Sequence, residues 1–163
     1  MTDKIFRNQI LLCIVLVWAA CQASQKEHLL YYKDSGAVLR RYYTVNDKIE
    51  GKMFEYHPDG TVKFERNFEN GVENGPVSTY YPNGKVKEKQ YIDHGKIQGS
   101  DTIWNADGRV QRVTNFRDGK VDGDLRTWNP DGSLLFEARY SMDSLLEMKK
   151  APVAAPERDN KPR

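Results

Sequence analysis

In a chain of 163 residues, catalytic or metal chemistry would have to come from few side chains: three histidines (His28, His57, His94) and two cysteines (Cys13, Cys21). The histidines fall at different positions of the pattern described below: strand, first turn and second turn. Equivalent positions in consecutive units of a sheet lie about 9–10 Å apart, whereas zinc ligands must all approach to about 2 Å. No metal and no cofactor are expected. Asp59, Asp107 and Asp131 recur, which could suggest a carboxylate array or calcium loops. Asn83 and Ser35 hold the same slot; a turn accepts that exchange, a charge-dependent ligand site does not. Gly51-Lys52 and Gly119-Lys120 precede no helix, so neither forms a phosphate cradle. Nucleophile-elbow, Walker and dinucleotide signatures are missing from the sequence. The chain reads as non-enzymatic. Arg40-Arg41-Tyr42-Tyr43 interleaves cations with rings, but net charge is only +2 and Glu65, Glu69 and Glu73 follow. No nucleic-acid partner is expected.

The remaining candidate is a column of rings. Tyr32, Tyr56, Tyr80, Trp104 and Trp128 are each 24 residues apart. Such a column either packs neighbouring units together or forms a binding ladder. A ladder would line a groove for a glycan strand or a partner peptide.

The elements that position this column follow from the glycines. Gly36, Gly60, Gly84, Gly108 and Gly132 are 24 apart, as are Gly51, Gly75, Gly99 and Gly123, and as are Gly71, Gly95 and Gly119. These three series contain all 12 glycines. A fixed period without insertions marks a repeat architecture. In Tyr56-His57-Pro58-Asp59-Gly60, Pro presets the backbone, Asp bonds back to it, and Gly supplies the left-handed residue that closes the turn. The same holds around Gly84, Gly108 and Gly132. Alternating segments such as Thr61–Phe68 follow, then a second turn at Asn70-Gly71, His94-Gly95 or Asp118-Gly119. The expectation is an all-β fold: one elongated antiparallel meander of about five 24-residue hairpin repeats. About ten strands are expected between His28 and Tyr140, with one covered face and one wet face. Stacking between neighbours must stabilise such a chain.

The unit Tyr-x-Pro-Asn/Asp-Gly-x-Val, most complete in Tyr80-Tyr81-Pro82-Asn83-Gly84-Lys85-Val86-Lys87, resembles the MORN-repeat variant of bacterial proteins named as the YwqK-family antitoxin component. The resemblance covers residues 28–140. It implies a scaffold that binds another protein, of the antitoxin type. A glycan or cell-wall module using the Tyr/Trp ladder is the alternative reading.

Both ends read differently from the repeats. Lys4 and Arg7 precede the apolar run Ile10–Trp18, which is too short to span a bilayer. Ala19-Ala20-Cys21 then resembles a lipobox, with Trp18 where that motif has Leu. Residues 1–23 are expected to be a signal peptide. Cys21 would carry lipid and hold the protein at the bacterial envelope membrane; plain secretion is the alternative. Residues 24–142 would form the repeat domain. In residues 143–163, Leu145, Leu146 and Met148 would cap the last strand, and Pro152, Pro156 and Pro162 would mark a disordered tail. Metabolic labelling with a fatty-acid probe should mark the protein, and Cys21→Ser should abolish the label.

Overall fold

The computed structural model describes residues 24–150. The expected signal peptide with Cys21 and the expected disordered tail after Lys150 lie outside the described residues.

Two kinds of turn alternate along the chain. Before each hairpin, a loop such as His57–Thr61 closes through Gly60 N donating to His57 O at 2.9 Å. Asp59, Asn83, Asp107 and Asp131 each accept, on Oδ1, the backbone N–H two residues on, and Ser35 does so through Oγ. The recurrent aspartates are therefore turn residues. The second kind has both central residues at positive φ: 52° and 85° at Asn70-Gly71, 47° and 81° at His94-Gly95. That is the type I′ geometry whose twist matches paired strands. Asn46-Asp47 and Met142-Asp143 adopt it without glycine.

The strands are β1 (Lys26–Tyr31), β2 (Val38–Val45), β3 (Lys48–Ile49), β4 (Gly51–Tyr56), β5 (Val62–Glu69), β6 (Val72–Glu73) and β7 (Gly75–Tyr80). There follow β8 (Val86–Asp93), β9 (Lys96–Trp104), β10 (Val110–Arg117), β11 (Lys120–Trp128), β12 (Leu134–Ser141) and β13 (Ser144–Lys150). All thirteen belong to one sheet. Eleven follow one another in chain order, while the two-residue β3 and β6 pair β2 and β5 beside them. Every pairing is antiparallel. The sheet thus runs from Lys26 to Lys150, beyond the ten strands expected between His28 and Tyr140. Residues 144–150 do not cap the last strand. They add another strand, because the Met142-Asp143 turn sends the chain back along β12.

Antiparallel partners share a face, so the register sorts the side chains. Phe64, Thr79, Glu88, Ile103, Arg112, Thr127 and Phe136 form one row across the sheet. Asp101, Thr114, Leu125, Ala138 and Met148 form the next. The apolar core is thin: Val77, Ile92 and Ala138 are the buried hydrophobics, with Thr79, Asp101 and Thr114 the buried polar residues. All lie on this side, called here the Val77 face. The expected covered face is therefore covered only at a few points, since among the described residues no second layer packs on it.

Cohesion comes instead from hydrogen bonds between successive turns. In four of the five I′ turns the second residue donates its N–H one unit back: Gly71 to Ile49 O, Gly95 to Glu73 O, Gly119 to Ile97 O and Asp143 to Val121 O, at 2.8–2.9 Å. The first residue donates to a side chain one unit back. Asn70 N reaches Glu50 Oε2 and Asp118 N reaches Gln98 Oε1, both at 2.8 Å; His94 N reaches Asn74 Oδ1 and Met142 N reaches Asp122 Oδ1, both at 3.4 Å. Glu50, Asn74, Gln98 and Asp122 are again 24 apart, and all carry a side-chain acceptor. Met142, at φ 48°, is a flexible side chain in a conformation that suits Asn or Gly. Met142→Asn should stabilise the sheet by about 0.5–1 kcal/mol, read as a higher urea midpoint with unchanged slope.

Candidate functional site

The five ladder residues stand near the ends of alternate strands. Tyr56, Tyr80, Trp104 and Trp128 each close a strand and pair with Val62, Val86, Val110 and Leu134 across a register shift. At the first unit Tyr31, not Tyr32, pairs with Val38. Tyr32 instead donates its hydroxyl to Tyr56 O at 2.8 Å, and Tyr81 does the same to Trp104 O. All five rings are half-buried, and the two stacked ring pairs are His28–Tyr42 and Phe54–Tyr56. The ladder rings are thus not stacked on one another; Tyr32 and Tyr80 bond instead to groups of neighbouring units. By strand alternation, Tyr80, Trp104 and Trp128 lie on the face opposite Val77, called here the Trp104 face.

That face is not uniform. On β4–β5, Lys52 pairs with Glu65, and Tyr80 reaches Glu65 from β7 at 3.4 Å. On β11–β13, Arg126 bridges Asp124 and Glu137, and Arg139 holds Asp124 at 2.9 Å. Those arginines keep the Asp124 carboxyl below the usual carboxylate range, the bond from Arg139 being the main cause. Between these charged stretches, β7–β9 present Ser78, Tyr91, Gln98, Ser100, Thr102 and Trp104 around an open hollow of about 520 Å³.

The histidines stand apart. His28 Nε2 meets Thr44 Oγ1 at 2.8 Å, His57 sits in the first kind of turn, and His94 in the second beside Asp93.

Asp101 was not among the expected site residues. Its side chain is 5% exposed, lies 3.8 Å from Arg112 Nη2, and has a buried Oδ1 without a hydrogen-bond partner. Burial, reinforced by the nearby Glu88 carboxyl and opposed by Arg112, pushes its pKa up to about 6. One signal in the sequence could have found it: Met53, Val77 and Leu125 occupy the equivalent slot, so Asp101 is a carboxylate in an apolar column.

Comparison with known proteins gives the repeat its type. Two of the units are similar to a known repeat type. The MORN repeat variant matches residues 49–70 and 73–94. Each match contains one loop of the first kind and ends on the first residue of an I′ turn, Asn70 or His94, and the units after residue 94 continue the same period and turn bonding. No curated protein matches the sequence. Among solved structures, a chain in the crystal structure of accessory secretory protein 1, 2 and 3 of Streptococcus pneumoniae is similar at 15% identity and a TM-score of 0.19. The similarity covers 74% of this chain and 18% of that one.

Asp101 carries a pH prediction. The folded state binds its proton more tightly than the unfolded chain, whose carboxyl titrates near 3.9. Stability therefore falls as pH rises from about 4 to about 6 and stays lowered above that. Asp101→Asn should stabilise the protein by on the order of 2–3 kcal/mol at pH 8 and by almost nothing at pH 4, measured by urea unfolding at both pH values.

Proposed function

We propose that this protein is a non-enzymatic repeat scaffold, anchored in the bacterial envelope through Cys21, that binds a partner protein by adding the partner's strand to an open edge of its sheet. The antitoxin-type resemblance makes an inhibitor of that partner the specific form of the reading. An edge strand presents a row of unpaired N–H and C=O groups, which is a template for another chain.

The observation that carries the reading is β13. It forms one edge of the sheet, every one of its seven residues is exposed, and Leu145, Leu146 and Met148 are 53–62% exposed. The opposite edge, β1, is similar, with Leu29, Leu30 and Tyr31 exposed. Strand addition there would cover apolar side chains that water now touches, at about 25 cal/mol per Å² of apolar area.

The test uses the full chain in its envelope, with a photocrosslinking residue at Leu146, at Leu30, or at Lys63 on the sheet interior. Crosslinks to one discrete protein are expected from Leu146 or Leu30 and not from Lys63. Adding Leu145→Lys and Met148→Lys should abolish the Leu146 adduct without lowering thermal stability. An adduct confined to Lys63, or one insensitive to the lysine substitutions, would reject the edge as the binding surface.

A further inference from the structure

The hollow on the Trp104 face exists because one unit departs from its neighbours. At Gly75 and Gly123, an added Cβ would meet the side chain eight residues earlier, Asn67 Cβ at 3.1 Å and Asn115 Cβ at 3.2 Å. Those asparagines also donate Nδ2 to the carbonyls of Pro76 and Asp124. Each therefore lies over its glycine and seals the surface. In the intervening unit, Tyr91 holds the asparagine slot, and nothing lies within 4 Å of a Cβ built at Gly99. Tyr91 is 48% exposed. Tyr43 holds the same slot in the first unit, but there its hydroxyl is tied to Glu27 and the adjoining Lys52–Glu65 ion pair crosses the face.

The resulting groove runs along β9 from Gln98 to Trp104. That is seven residues, or six steps and roughly 20 Å at a rise of about 3.3 Å per residue. Tyr91 stands at one end and Trp104 at the other. Between them lie the hydroxyls of Ser78 and Thr102, that of Ser100, which donates to Asn115 Oδ1, and the amide of Gln98, whose Oε1 docks Asp118 N and whose Nε2 remains a donor. Lys89 is the one ionic group in the lining. Among the described residues, no ion pair joins the side chains of this stretch, although pairs cross the same face on both flanks. A single cation does not hold a phosphate chain, which requires clustered basic residues. Rings that present apolar faces, set among neutral donors and acceptors, match a ligand with alternating apolar C–H surfaces and hydroxyls.

We propose that this groove binds a neutral pyranose oligosaccharide, with Tyr91 and Trp104 as the stacking platforms. The site is separate from the sheet edges. A glycan could be held on the face while a protein occupies β13.

The neighbouring units supply a substitution that the fold already tolerates. Titration of the full chain in mild detergent with chitohexaose and with cellohexaose, followed by calorimetry and tryptophan fluorescence, should show saturable binding of at least one of them. Tyr91→Asn should weaken it tenfold or more with an unchanged melting temperature, because Asn occupies that slot beside Gly75 and Gly123. Ser78→Lys, which puts a long charged side chain into the hollow and leaves Tyr91 in the sequence, should weaken it as well. The site is refuted if neither oligosaccharide binds saturably, or if binding survives both substitutions. Binding of a proline-rich peptide at Tyr91 with no binding of either sugar would also refute it. None of these results depends on whether β13 adds a partner strand, so the two proposals fail separately.

Discussion

The structure depends on the hydrogen bonds that tie each turn to the one before it. A single-layer sheet with three buried hydrophobic residues has little apolar burial to offset the entropy of ordering its backbone. The turn-to-turn bonds compensate in a specific way. Type I′ turns point two N–H groups outward along one margin of the sheet, where a lone hairpin would leave them to water. Here the preceding unit supplies a backbone carbonyl and a side-chain oxygen to both. On the opposite margin, Tyr32, Tyr81, Lys85 and Arg109 reach carbonyls of the next unit. Each unit is thus incomplete without a neighbour, the condition under which stability becomes a sum of nearest-neighbour terms.

The same ladder runs out at both ends of the described sheet. The slot of Glu50, Asn74, Gln98 and Asp122 is filled by Lys26 before the series and by Leu146 after it. Neither side chain accepts a hydrogen bond. Among the described residues, β1 and β13 are the edge strands of the sheet. Exposed leucines concentrate on these strands rather than on the sheet interior. With eleven strands on the main path, both edges run in the same direction, so an antiparallel addition at either end requires a partner strand of the same polarity.

The two faces divide the remaining work. The Val77 face carries the thin core and one misfit, Asp101, whose burial costs stability above its titration. The Trp104 face carries ion pairs on the outer units and, in the middle, a ring-flanked groove with Lys89 as its one ionic group. Period alone makes the units look alike; single exchanges at equivalent slots, Asn to Tyr beside Gly99 and Val to Asp at position 101, make them differ chemically.

Much of this was legible in the residues. Glycine at three fixed offsets, with Pro-Asp and Asn before it, dictates turns locally, because few other residues adopt positive φ or close such loops. Hairpins in strict succession then permit only a meander, and the Asp59, Asp107 and Asp131 series declared itself as turn chemistry for the same local reason. What depends on distance across the sheet was not legible. The acceptor series beginning at Glu50 has no common residue type, so only its pairing with turns one unit away reveals it. Leu145, Leu146 and Met148 look like a cap until the Met142-Asp143 turn, lacking any glycine, places them in register with β12. Turn chemistry is encoded within a few neighbouring residues and so was fixed by sequence. The open edges, the buried carboxyl and the hollow over Gly99 arise where residues 8 to 24 apart meet, and only the folded sheet brings those together.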